Sequence, residues 1–157
     1  MRELILLRHA HAESARPGQD DSDRPLSDTG RSEATAAGGW LRAHGLLPDR
    51  VLCSPAQRAR QTLDGLGALD CTDIRSEASI YEATPGALVE LADAHPDAKR
   101  LLLVGHNPGF EQLVALLHSG YSGDYRGMPP AGIAVLEFAD GAVIEPGSAR
   151  LSWFWWP

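Results

Sequence analysis

Little in this chain ties it to a membrane, a nucleic acid or an oxidising compartment. Its apolar runs fall far short of the roughly 20 residues that a membrane span requires. The first of them, at residues 4–7, passes at once into charged residues, unlike a secretory leader. Positive charge is scarce: 14 basic against 21 acidic side chains give a formal charge of −7. That sign argues against non-specific binding to nucleic acid or anionic lipid, but leaves room for a local basic pocket. Lysine is nearly absent, since all the basic residues but Lys99 are arginine; such a bias can be compositional and carries no functional weight alone. There are only two cysteines, Cys53 and Cys71, without metal-type spacing, and Cys53 closes an apolar run as a buried thiol would. Internal repeats and linker-like stretches are also lacking. The expectation is a single cytoplasmic domain over residues 1–157 that needs no cofactor. Such a domain is large enough to bury roughly two thirds of its unfolded surface.

What is present alternates between strand-length and helix-length segments. Leu4–Leu7, Val51–Cys53 and Leu101–Val104 are continuous apolar runs, as expected of strands buried on both faces of a parallel sheet. Ser27 to about His44 places Ala34, Ala37, Trp40 and Leu41 at helical spacing, with Gly45 as the stop. A second helix is expected from Ser54 as N-cap, with Pro55 in its first position and Gln57 completing a capping box. A third covers about Pro85–Ala94. A fourth starts with Pro108 in the first position and runs to about His118. Ser119–Gly132 reads as a long loop, and Asp140-Gly141 as the turn of a hairpin joining Ile133–Phe138 to Ala142–Glu145. Leu151–Trp156 is a candidate last strand. The pattern predicts an α/β fold with a mainly parallel sheet and an antiparallel edge.

The chemistry gathers at the ends of two predicted strands. His9 directly follows the first apolar run and His106 the third. Ligands of open α/β sheets bind at the carboxyl ends of parallel strands, so two histidines distant in sequence can share one pocket. Arg8 accompanies His9. Arg58 falls in the first turn of the second helix, where the macrodipole disfavours a cation, and an adjacent anion would account for it. The plainer account is that Arg58 reaches solvent or pairs with a carboxylate. Arg24 lies in a polar loop, Gly18–Leu26, able to fold over the same end. One nucleophilic histidine, a second histidine and up to three guanidinium groups are what phosphoryl transfer asks of a protein: placement and neutralisation of the equatorial oxygens.

These residues carry a resemblance. Leu7-Arg8-His9-Ala10, Arg24-Pro25-Leu26-Ser27 with Gly30, Ser54 to Thr62 and Val104-Gly105-His106-Asn107-Pro108 resemble, in order and spacing, the histidine phosphatase superfamily. Within it, the chain is similar to the short phosphohistidine phosphatases of the SixA type. The resemblance implies a three-layer α/β/α sandwich of the phosphoglycerate-mutase-like kind. It implies His9 as nucleophile, with Arg8, Arg58 and His106 holding the phosphoryl oxygens and Arg24 as a further contact. The two imidazoles are then expected to differ in pKa, one free to attack and the other a donor. Glu82 stands where short members carry a glutamate and is a candidate proton donor; Asp21 and Asp23 are rivals. The partner implied is a phosphorylated substrate, such as a histidine phosphotransfer protein, with small phosphate esters as the alternative.

Other readings rank lower. His9-Ala10-His11 with the acidic residues 20–23 suggests a metal site, but the arginines would repel a cation. A mutase would need insertions for which this chain has little room. A non-catalytic phosphate-binding module would not need an intact nucleophile. The aromatic terminus, Trp153 to Trp156, is expected to pack against the Pro-rich loop rather than mark a partner surface, and Tyr121, Tyr125 and Arg126 are candidates for shaping access.

Overall fold

The computed structural model describes residues 1–157. The three apolar runs are strands β1 (Arg2–Arg8), β2 (Arg50–Cys53) and β4 (Arg100–Gly105), separated by a short strand β3 (Ile74–Ser76). They do not alternate with polar residues because both faces of the sheet are covered. In β1, Leu4 and Leu6 enter one core while Ile5 and Leu7 enter the other. The first core lies under α3 (Pro85–Asp93) and α4 (Gly109–Ser119), the second under α1 (Asp28–Ala43) and α2 (Gln57–Gly65). This is the expected three-layer α/β/α sandwich.

With β5 (Ile133–Phe138) and β6 (Arg150–Trp155), the sheet has the order β3-β2-β4-β1-β5-β6. The first four strands are parallel; β5 runs antiparallel to β1, and β6 antiparallel to β5. One sequence expectation fails here, and one strand was not foreseen. The partner of β5 is not residues 142–145, which form no strand, but the last strand, with Val135 opposite Trp153. Asp140-Gly141 is still a turn, but the chain takes a longer excursion before returning. β3 was not foreseen because all three of its residues are exposed at the sheet edge and form no apolar run.

Two helix starts also differ. α1 begins as expected, with the Ser27 hydroxyl accepting from the Gly30 amide, and α3 is capped likewise by Thr84. In α2, however, Ala56 occupies the N-cap and no side chain caps it. The Ser54 hydroxyl accepts from the Ala56 amide and hydrogen-bonds His106, so it serves the strand end instead of a helix. In α4, Pro108 precedes the helix, and Asn107 Oδ1 accepts from the Glu111 amide. The aromatic terminus divides between the two faces. Trp155 stacks on Trp40 of α1 with ring centroids 5.4 Å apart, whereas Phe154 and Trp156 line a groove beside loop residues 124–127. The contacts of Trp153 and Trp155 are thus with Trp40 of α1 and not with the long loop.

The register decides where the chemistry lies. Arg8 is opposite Gly105 in the β1–β4 pair, and Cys53 opposite Val104 in the β2–β4 pair. The residues following these strands, His9, Ser54 and His106, therefore emerge together at one sheet edge.

Candidate active site

The His9 and His106 rings face each other with centroids 5.2 Å apart. Backbone bonds fix His9 on both sides: its amide donates to the Gly105 carbonyl (2.9 Å), and its carbonyl accepts from the Ala131 amide (3.2 Å). His9 Nδ1 lies 2.7 Å from the Ala10 carbonyl. A carbonyl can only accept, so Nδ1 carries the proton and Nε2 keeps its lone pair. Behind the ring, the buried Thr62 hydroxyl accepts from the Ala10 amide (2.9 Å) and donates to the Arg58 carbonyl (2.7 Å). This ties the end of β1 to the first turn of α2.

His106 is buried, and its Nε2 lies 2.7 Å from the Ser54 hydroxyl. Ser54 Oγ accepts from the Ala56 amide and its own proton has no acceptor other than Nε2, so the hydroxyl donates to Nε2 and the ring proton sits on Nδ1. Gly105, just before His106, packs where a Cβ would lie 2.6 Å from the Ile80 side chain and 2.7 Å from the Phe110 ring, so any larger residue would displace them. Burial lowers both imidazole pKa values, to about 4 at His9 and about 3 at His106; nearby guanidinium groups push the same way. The two values lie within about a unit of each other, so it is the hydrogen bonds more than the pKa values that separate the attacking ring from the donor. Both rings are neutral near pH 7, and His106 is a donor through Nδ1–H rather than through a positive charge.

Arginines surround the pair. Arg8 donates from Nη1 to the Met128 carbonyl (2.8 Å), the same carbonyl that accepts from Asn107 Nδ2 (2.9 Å). Arg58 is only 6% exposed, and its two terminal nitrogens bind the carbonyl (2.7 Å) and carboxylate (3.0 Å) of Asp21. The plainer account of Arg58, pairing with a carboxylate, therefore holds on one side of the guanidinium. Four buried side-chain nitrogens lack a hydrogen-bond partner, and three belong here: Arg8 Nε, Arg58 Nε and His106 Nδ1. Unpartnered buried donors are costly, and their concentration at one strand edge suits an anion rich in acceptor oxygens.

The loop residues divide. Arg24 bonds the Glu13 carbonyl (2.8 Å) and Asp21 Oδ1 (3.0 Å), so it belongs to the Asp21 cluster. The Tyr81 hydroxyl donates to Asp21 Oδ2. That bond, then those from the two arginines, hold the Asp21 carboxyl well below the usual carboxylate range. Asp21 is accordingly ionised near neutrality and has no proton to donate. Asp23 is exposed, and its side chain makes no hydrogen bond or ion pair. Glu82 is exposed on a left-handed backbone (φ +56°) at a cleft of about 390 Å³ that Arg58, Tyr81 and His106 also line. His11 stands apart from His9, with its Nδ1 2.7 Å from the Ser27 hydroxyl.

Sequence reasoning passed over three contributors. Thr62 sits one helical turn after Arg58 and Tyr81 directly before Glu82, so their neighbours could have pointed to them. The Met128 carbonyl, being backbone, has no sequence signature.

A sequence model of the histidine phosphatase superfamily (branch 1) matches residues 4–95. The chain belongs to this superfamily. It is 43% identical over 154 residues to an uncharacterised Mycobacterium tuberculosis protein, covering 92% of this chain and 96% of the relative. It is 31% identical over 158 residues to the phosphohistidine phosphatase SixA of Escherichia coli, covering 96% and 91%. Among solved structures, a protein histidine phosphatase SixA complexed with tungstate superposes with a TM-score of 0.80 at 25% identity, covering 98% of this chain and 96% of the other. No helix is long and apolar enough to cross a membrane.

Proposed function

We propose that this histidine phosphatase removes a phosphoryl group in two steps through a phosphohistidine on His9. The observation that carries this reading is the free lone pair on His9 Nε2 beside three unpartnered buried donors, Arg8 Nε, Arg58 Nε and His106 Nδ1. In the first step, a bond forms between Nε2 and phosphorus while the bond from phosphorus to the leaving atom breaks. Arg8, Arg58 and His106 hold the equatorial oxygens, with Arg24 as a further cation. Glu82, exposed at the cleft and free of any ion pair, is the candidate to protonate the leaving atom. In the second step water attacks phosphorus, the P–N bond breaks and inorganic phosphate leaves. His106 starts neutral, and the charge of a bound phosphoryl group would favour its protonated form. No step requires a metal.

The substrate we infer is phosphohistidine on a protein, such as a histidine phosphotransfer protein. Similarity to SixA supports it, as does the exposure of Asp21 and Glu82 at the mouth, which leaves a protein-borne phosphate room to enter. The oxygen-holding groups read only the phosphoryl moiety, so small phosphate esters are the second reading.

The experiment uses labelled substrate and a rapid alkaline denaturing quench, since the P–N bond survives base. Label is expected on His9, and His9→Ala should abolish both labelling and phosphate release. Label on another residue, or full turnover by the variant, would overturn the mechanism. Comparing kcat/KM for a phosphohistidine protein with a panel of small esters separates the two substrate readings.

A further inference from the structure

The cleft that opens beside Arg58 and His106 is lined by two carboxylates, Asp21 and Glu82, and by neutral polar groups that include Thr84, Asn107 and Gln112, with Arg58 and His106 its only basic side chains. Asp21 is also built in. It engages Arg58 through both carbonyl and carboxylate and Arg24 through its other oxygen, and it accepts the Tyr81 hydroxyl. Its side chain is nevertheless 51% exposed, so its charge faces whatever enters. A carboxylate this close to a phosphate-binding guanidinium does two things. It neutralises part of the attraction for any bound phosphate, and it repels a second anion carried by the leaving group.

Resting on the phosphatase reading above, we propose that Asp21 is a specificity-determining residue. Its fixed carboxylate disfavours anionic leaving groups, favours nitrogen bases that depart neutral or cationic, and weakens retention of the inorganic phosphate product. For an N-phosphorylated imidazole, the bond from phosphorus to His9 Nε2 forms, the bond to the leaving nitrogen breaks, and that nitrogen takes a proton from Glu82. The departing group then carries no negative charge past Asp21. A phosphorylated hydroxy acid would carry its carboxylate along the same wall. One unit charge roughly 6–8 Å away in a partly wet cleft is worth about tenfold.

The test compares the full chain with Asp21→Asn, using N-phosphoimidazole, 3-phosphoglycerate and inhibition by inorganic phosphate. In the variant, the kcat/KM ratio of the first substrate to the second should fall about tenfold. Phosphate should inhibit at about tenfold lower concentration. Asp21→Glu should restore the ratio, and Tyr81→Phe, which keeps the charge, should leave it within about twofold. If both kcat/KM values fall in parallel while phosphate binds more weakly, Asp21 merely holds Arg58 in place and the proposal is wrong. If the unaltered protein turns over neither substrate and His9 is never labelled, the phosphatase reading fails first. The role of Asp21 is then decided by phosphate calorimetry: tighter binding to Asp21→Asn supports it, and unchanged or weaker binding refutes it.

Discussion

Lowering the pH from 7 to 5 should weaken this fold through His9 and His106. In the unfolded chain each imidazole gains a proton as the pH falls through about 6.5. In the fold, burial and the surrounding guanidinium groups hold the two at about 4 and about 3. The folded values lie below the unfolded ones, so the unfolded chain binds more protons in between. The stability is fully present above about pH 6.5 and is lost as the pH falls toward the folded values. At pH 5 the unfolded state gains about 2 kcal/mol from each imidazole, or about 4 kcal/mol together. That is a large share of the 5–15 kcal/mol typical of a domain. Asp21, Asp73 and Asp97 also have lowered pKa values, but their unfolded reference lies near 4, so their loss begins below this window. Urea unfolding at pH 7 and 5, followed by tryptophan fluorescence, measures the effect. The His9→Gln/His106→Gln double variant should lose only a small remainder, to which His95, also lowered by burial, contributes. If the double variant loses as much stability as the unaltered protein, the two histidines are not the acid-sensitive groups and the reasoning is refuted.

Three further outcomes follow from packing and chemistry. Thr62→Val removes both hydrogen bonds of a fully buried hydroxyl and leaves the Ala10 amide unpaired, which should cost about 1–3 kcal/mol. Thermal unfolding should show it as about 2–4 °C lost per kcal/mol, with reduced kcat/KM because the segment bearing His9 loosens. Gly38→Ala puts a Cβ 1.9 Å from the Leu66 carbonyl, so α1 must shift from the turn after α2, and a loss of about 1–3 kcal/mol is expected. Gly39→Ala next to it meets nothing within 4 Å on the exposed face and should be neutral or stabilising by about 0.5–1 kcal/mol, as denaturant titration of the pair will show. Exhaustive chelation should leave phosphatase turnover unchanged, and a clear loss restored by a divalent metal would contradict the mechanism proposed above, in which no step requires a metal.

The sequence by itself determined the layers and the meeting of the two histidines. Runs such as Leu4–Leu7 and Leu101–Val104 are apolar at every position, which only a strand covered on both faces can use, and His9 and His106 each follow such a run. Four ordered motifs then pointed to the superfamily. Tertiary structure decided what depends on partners remote along the chain. The strand opposite β5 could not be read locally, because residues 142–145 and 150–155 both offer apolar side chains and only the return path of the backbone chooses between them. Ser54 looked like a helix cap, but its hydroxyl donates to His106, brought alongside by the β2–β4 register. The proton position on His106 rests on Ser54, 52 residues earlier, and the setting of Arg58 on Asp21, 37 residues earlier. Burial and distant hydrogen bonds set charge and tautomer, and neither exists until the chain has folded.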